Sequence, residues 1–270
     1  MRGEQARVRL DLRKVPLEEK VAIVTGGNSG IGRSTCTALA KQGVRVVIVG
    51  RDRSRVDETT DGLRASFGPD RALGFALDVC DENQVGAMVK LTLATYHRID
   101  VLVTSAGILR PRTGAPRQVA EMPLEEWNLV VNTNLKGVFI TNRAVLPAMI
   151  EHRRGDIINI SSTSGRKGFA FDSAYCASKF GVIGLSEALA EEVKQFGVRV
   201  QCILPGAIET PIWKQNEMIP RLIPVVPADR IANVICFVLQ LPKDVTLPEA
   251  SIKPLRTTFE PVIDSLPGLQ

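Results

Sequence analysis

The sequence predicts an α/β fold: one domain built on a doubly wound, parallel β-sheet. Short, almost uninterrupted runs of Val, Ile and Leu recur along the chain, and helix-length segments separate them. The first run opens into a glycine-rich turn, and a further helical pattern follows it. Runs that are apolar at nearly every position suit strands buried on both faces of a parallel sheet. Repeated β–α–β units with right-handed crossovers then wind such a sheet in two directions.

The elements follow in order. Strands are expected at residues 21–25, 44–49, 72–77, 101–104, 157–160 and 198–204, with helices near 31–42, 53–66, 82–97, 124–152 and 174–196. Pro205, Pro211, Pro220, Pro224 and Pro227 interrupt the next stretch too often for one long helix. A connection of that length in a compact domain reads as a lid or binding loop, placed at 211–224. A helix near 228–240 and a strand near 245–253 complete the sheet. Residues 1–18 form an extension ahead of a domain spanning 19–270. Arginines there stand beside Glu4 and Asp11, and Val8, Leu10 and Leu12 alternate with polar residues in a strand-like period. An organellar address and a frayed arm or short edge strand are both open readings of that segment.

Composition excludes several classes. With 270 residues, 44% hydrophobic and 23% charged, the chain suits a globular domain with a substantial core. The net charge is +5, but the arginines are interleaved with acids, as in residues 51–58. That is a mixed-charge solvated face, so no nucleic-acid partner is expected. No apolar run approaches the ~18–20 residues of a membrane span, and no apolar signal core opens the chain. The five cysteines (Cys36, Cys80, Cys176, Cys202 and Cys236) form no CxxC pair, and His97 and His152 are the only histidines. No metal site is expected. Free thiols suit a reducing compartment, hence a cytoplasmic location.

Val21-Ala22-Ile23-Val24 runs into Thr25-Gly26-Gly27-Asn28-Ser29-Gly30-Ile31-Gly32. Glycines allow a tight turn and close approach of backbone to a pyrophosphate, and the helix N-terminus offers free N–H groups with partial positive charge. Gly26, Asn28, Ser29, Gly30, Ile31 and Gly32 are therefore candidate cofactor contacts. The end of the second strand bears on which dinucleotide. An acid there usually binds the ribose 2′-hydroxyl of NAD. Here Gly50 and Arg51 follow Val49, and Arg51 offers a planar fork of donors to a 2′-phosphate, with Arg53 or Ser54 able to assist. NADP is expected over NAD, and Gly50→Asp is expected to reverse the choice.

With these motifs and the later set Asp78-Val79, Ser105-Ala106-Gly107, Asn134, Ser162, Tyr175-Cys176-Ala177-Ser178-Lys179 and Pro205-Gly206, the chain resembles the short-chain dehydrogenase/reductase family over residues 17–254. The resemblance implies a Rossmann-type domain and specific roles. Asp78 would bind the adenine amino group, with the Val79 backbone beside it. Ser105, Ala106 and Gly107 would line the cofactor near its ribose. Thr210 and the backbone of Ile208, just past Pro205-Gly206, would hold the nicotinamide carboxamide. Two departures stand out. Ser105 replaces the family's common Asn, and the C-terminal stretch lacks its frequent glycine pair.

Tyr175 and Lys179 are four apart on an expected helix and so share a face. A phenol of pKa ~10 is a poor base unless a nearby cation favours the phenolate. Lys179 supplies that cation and would also hold the ribose hydroxyls. Tyr175 then serves as general acid or base. Ser162 lies thirteen residues before Tyr175, a spacing that the family shares, and would donate to the substrate oxygen. Asn134, placed by the following Leu135-Lys136-Gly137, would hold a water that relays protons to Lys179. The implied reaction interconverts a ketone or aldehyde and an alcohol. A silent NADP-binding regulator or scaffold is the alternative, as is reduction of C=N or C=C bonds.

The 211–224 segment carries Ile212, Trp213, Met218, Ile219, Leu222 and Ile223. Trp213 is expected to line the substrate pocket, with Phe169 and Ser164 on the facing side, favouring a mainly apolar carbonyl or alcohol substrate. Residues 174–193 are dense in small side chains (Ala177, Gly181, Gly184 and Ala188), which permits close helix approach. A homo-oligomer, dimer or tetramer, is expected.

Overall fold

The computed structural model describes residues 14–111, 116–215 and 225–255. Seven parallel strands form the main sheet: β1 (Val21–Thr25), β2 (Arg45–Gly50), β3 (Ala72–Ala76), β4 (Val101–Thr104), β5 (Gly155–Ile160), β6 (Val198–Pro205) and β9 (Glu249–Ile252). Their order is β3-β2-β1-β4-β5-β6-β9. Two short strands, β7 (Ile208–Glu209) and β8 (Val226–Pro227), pair beside it. The order reverses between β1 and β4, and the crevice at their carboxyl ends is where an open α/β sheet binds ligands.

Both faces of the sheet are covered, as the continuous apolar runs require. Ala22, Val24, Val46 and Ile48 point to one face and pack with Leu39, Ile231 and Ile235 from α1 (Gly30–Lys41) and α7 (Ala228–Leu239). Val21, Ile23, Val47 and Val49 point to the other and meet Met88 of α3 (Glu82–Tyr96), Ile140 and Met149 of α5 (Gly137–Glu151) and Leu189 of α6 (Ser173–Val193). The remaining helices are α2 (Arg53–Phe67) and α4 (Leu124–Val131). Asp52 and Asp81 cap α2 and α3 through the backbone N–H groups of Arg55 and Gln84, each such cap contributing about 1 kcal/mol.

Two elements differ from expectation. The single helix expected over 124–152 is divided by a π-helical turn, Asn132–Lys136, between α4 and α5. The last strand is confined to Glu249–Ile252, because Pro248 precedes it and Pro254 follows. Most of the expected lid, with Met218, Ile219, Leu222 and Ile223, lies outside the described residues. Among the described residues no helix is long and apolar enough to cross a membrane.

Candidate active site

The turn after β1 is shaped for an anion. A Cβ on Gly32 would lie 2.2 Å from the Gly26 carbonyl oxygen, and one on Gly26, whose φ is +65°, would lie 2.8 Å from the Ala106 nitrogen. Only glycine fits either place. Ser29 caps α1 without a side-chain hydrogen bond, and no acid occupies the first turn. The first N–H groups of α1 are thus left for a phosphate. Position 30 faces the Thr210 side chain, 3.1 Å from a Cβ placed there. The glycine turn, Ala106 and Thr210 therefore come together, as one cofactor site requires, and these residues fit a bound dinucleotide. Ser105 makes the link between strands through its backbone, donating to Thr25 O at 3.1 Å, while Ala106 N–H donates to Thr25 Oγ1 at 3.3 Å.

The outer parts of this crevice are also in place. Asp78 follows β3 and accepts the Cys80 N–H at 2.9 Å. Val79 is buried and fills the space left by Gly137, where a Cβ would lie 2.7 Å from Val79 Cγ2. Gly206 N–H donates to Ile252 O at 2.7 Å, tying the Pro205-Gly206 turn to β9. Arg51 is exposed at the end of β2 and has no acidic partner among the described residues, whereas Arg53 pairs with Asp57 at 2.9 Å. A Cβ on Gly50 would lie 2.6 Å from the Asn28 side chain. An aspartate at 50 therefore displaces Asn28 from the phosphate turn, a coupling hidden from the sequence.

The four candidate catalytic residues converge beyond this turn. Ser162 is the second residue past the buried end of β5. Its Oγ donates to Pro205 O at 3.4 Å and accepts the Ser164 N–H at 3.1 Å. Burial pushes the Tyr175 phenol up to about 12, the nearby Ser162 hydroxyl lowers it, and the negative charge of Asp172 raises it further. Lys179, one turn on, is 5% exposed and donates from Nζ to Ile160 O at 2.9 Å. Burial pushes it down to about 8, and the neighbouring Cys202 thiol opposes that shift. Asn134 is fully buried on the π turn. Its Oδ1 accepts the Ile108 N–H, and its Nδ2 donates to Ile108 O and Ser178 Oγ. A π turn inside a helix frequently marks a functional position. Asn134 and Lys179 meet over Gly107, where a Cβ would be 3.2 Å from Asn134 Oδ1 and 3.6 Å from Lys179 Nζ.

Tyr175 also lines a shallow cleft with Leu109, Met122, Val130, Phe171 and two ion pairs. These are Arg110–Asp172 at 2.5 Å and Arg117–Glu126 at 3.3 Å. The wall residue is Phe171; Phe169 is 46% exposed and lies outside the lining. Ser164 acts on Ser162 through its backbone N–H and likewise does not line the cleft. Trp213 donates from Nε1 to Ile208 O at 2.6 Å, so it braces the segment expected at the nicotinamide. Sequence reading missed Arg110 and Asp172. Both adjoin motifs, but nothing in a separation of 62 residues pairs them.

Comparison with known proteins agrees with this arrangement. The sequence pattern of the family described as short chain dehydrogenase matches residues 20–218. The (2S)-[(R)-hydroxy(phenyl)methyl]succinyl-CoA dehydrogenase subunit of Thauera aromatica is 38% identical over 199 residues, covering 74% of this chain and 77% of that protein. A 3-oxoacyl-[acyl-carrier-protein] reductase of Thermotoga maritima is 38% identical over 202 residues, covering 74% of this chain and 78% of the relative. A metagenomic short-chain oxidoreductase solved in complex with NADP superposes with a TM-score of 0.76 at 32% identity, covering 90% of this chain and all of that one.

Proposed function

The chain belongs to the short-chain dehydrogenase family of oxidoreductases, and on that premise we propose that it is an NADP(H)-dependent enzyme interconverting a ketone or aldehyde and an alcohol. The observation that carries this reading is the convergence of Ser162, Tyr175 and buried Lys179, whose Nζ lies 5.7 Å from the Tyr175 ring, with Tyr175 lining the cleft. A proton donor and an oxygen-binding hydroxyl side by side are what a carbonyl oxygen needs as it gains charge.

The bound nicotinamide supplies the hydride in reduction and accepts it in oxidation. This chain's residues do the rest. Gly26, Asn28, Ser29, Gly30, Ile31 and Gly32 hold the pyrophosphate, while Asp78 and Val79 hold the adenine. Ser105, Ala106 and Gly107 lie along the ribose, and Pro205, Gly206, Ile208 and Thr210 lie at the carboxamide. Ser162 donates to the substrate oxygen and Tyr175 moves the proton. Lys179 favours the phenolate and binds the ribose hydroxyls. Asn134 Oδ1 spends one acceptor site on Ile108 and keeps a second for a water above Gly107, within reach of Lys179 Nζ. Arg51, exposed and without an acidic partner among the described residues, takes the 2′-phosphate. The NADP-bound relative supports that preference.

The substrate is a mainly apolar carbonyl or alcohol whose polar end meets the ion pairs of the cleft. Residues 19–270 act as one catalytic domain in the cytoplasm, with 1–18 as an extension and 211–224 as a lid in which Trp213 takes part. The exposed side of α6, with Ala177, Phe180, Gly184 and Ala188, and the exposed Phe139 of α5 form a subunit interface in a homo-oligomer. A screen of NADPH consumption over ketones, aldehydes and imines, with products identified by mass, tests the reading. Alcohol formed from a ketone or aldehyde supports it; turnover of imines alone overturns the substrate class.

A further inference from the structure

Three consecutive residues at the end of β5 bear on the helix that carries the reacting groups. Ile160 O accepts a hydrogen bond from Lys179 Nζ at 2.9 Å. Ser161 Oγ donates to the main-chain carbonyl of Lys179 at 2.8 Å. Ser162 adjoins the Tyr175 phenol. Lys179 is therefore held at both ends by neighbouring residues, its tip by Ile160 and its backbone by Ser161. Ser161 is itself fixed: it is 3% exposed, and its N–H donates to Ile203 O of β6 at 2.9 Å. Gly165 closes the junction from the following turn. A Cβ there would lie 2.6 Å from Ser161 Oγ and 2.8 Å from Lys179 O.

Stability gives little reason for a hydroxyl at this place. Inside a helix a carbonyl already accepts the N–H four residues on, so the Lys179 carbonyl has a partner without Ser161. An alanine at 161 would leave neither side with an unpaired buried group, and would avoid burying a hydroxyl. What the hydroxyl adds is direction. Nearby, α6 meets the sheet through apolar side chains, Val182 and Ile183 against Cys202 and Leu204. Such contact is non-directional, and it resists separation more than sliding. We propose that Ser161 is a positioning residue that locks the Lys179 turn of α6 against the end of β5, so that Lys179 Nζ stands where the nicotinamide ribose binds. The inference rests on the ribose-binding role given to Lys179 in the proposed reaction and adds the group that sets its place.

Ser186, two turns further along α6, provides a matched comparison. It joins the same helix to the same strand: its Oγ donates to Val182 O at 2.7 Å and accepts from Asn159 Nδ2 of β5 at 3.0 Å. Ser186→Ala would leave that buried amide nitrogen unpaired, whereas Ser161→Ala strands nothing. The Ser186 variant should therefore lose more stability. If Ser161 were merely structural, its removal would disturb the cofactor less than removal of Ser186. If it positions Lys179, the order is reversed.

Full-length parent, Ser161→Ala and Ser186→Ala are compared in melting temperature and in NADPH affinity by equilibrium titration. Ser161→Ala should melt close to the parent yet bind NADPH about fivefold or more weakly, the worth of one hydrogen bond. Ser186→Ala should melt lower while its NADPH affinity stays within about twofold of the parent's. Should Ser161→Ala fail to fold, Ser161→Cys, similar in shape but a much weaker donor, is read in its place. Parental NADPH affinity in the Ser161 variant, or equal weakening in both variants, overturns the proposal. Weakening confined to the Ser161 variant, in a protein that reduces no carbonyl, would uphold the positioning role and refute the proposed reaction. Parental affinity in that variant of an active reductase would do the reverse.

Discussion

The amide of Asn134 holds the backbone of Ile108 by both of its polar groups, accepting from the N–H and donating to the carbonyl, each at 2.8 Å. This clasp joins the π turn to the segment that carries Gly107, next to Lys179. Asn134→Ala would leave a buried N–H and a buried carbonyl without partners. The expected cost is about 2–4 kcal/mol, read as a lower midpoint in urea unfolding. A variant as stable as the parent would show that the clasp is dispensable.

Lys179 yields a pH-dependent outcome. Its folded pKa of about 8 lies below the ordinary 10.5. Between these values the unfolded chain still binds a proton that the folded chain has released, so the stability that Lys179 withholds is recovered as pH rises through that window. Lys179→Met keeps the buried stem and removes the charge. It should be more stable than the parent at pH 7, by at most about 3 kcal/mol. That advantage should fade between pH 8 and 10.5. A constant difference across that range would contradict the assignment.

Cofactor choice turns on Gly50 and Asn28. The unaltered protein should favour NADPH over NADH at least tenfold in kcat/KM, about 1.4 kcal/mol. Gly50→Asp alone should weaken both, because its Cβ would lie 2.6 Å from the Asn28 side chain. Combined with Asn28→Ala, it should favour NADH. Equal use of both cofactors by the unaltered protein would refute the role of Arg51.

Assembly rests on α6. Gly184 has nothing within 4 Å of where a Cβ would stand, and Phe180 of the same helix is 45% exposed. Light scattering at micromolar concentration should find a homo-oligomer. Gly184→Glu with Phe180→Glu should dissociate it while leaving helical content unchanged. A monomeric parent would end this reading.

Much of this was legible in sequence, for definite reasons. Strands buried on both faces produce continuous apolar runs, so β1 and β4 fall at the expected residues, and the glycines of the phosphate turn are steric necessities. The π turn was not legible. Residues 124–152 keep an unbroken helical pattern, and one extra residue per turn leaves no compositional mark. Nor was the cleft wall. The wall was expected at Phe169, but the residue that lines the cleft with Tyr175 is Phe171, on a left-handed backbone (φ +66°) that no local pattern announces. The Arg110–Asp172 pair depends on tertiary proximity that no local pattern encodes.

The proton-transfer role of Tyr175 is the centre of the account, and Tyr175→Phe addresses it by removing a single oxygen. The measurement is NADPH-dependent reduction of a ketone or aldehyde by parent and variant, alongside NADPH binding to each. Turnover should fall by roughly 10²–10⁴ while NADPH affinity and melting temperature stay close to the parent's. A variant that reduces the same substrate at near-parental rate would contradict the account.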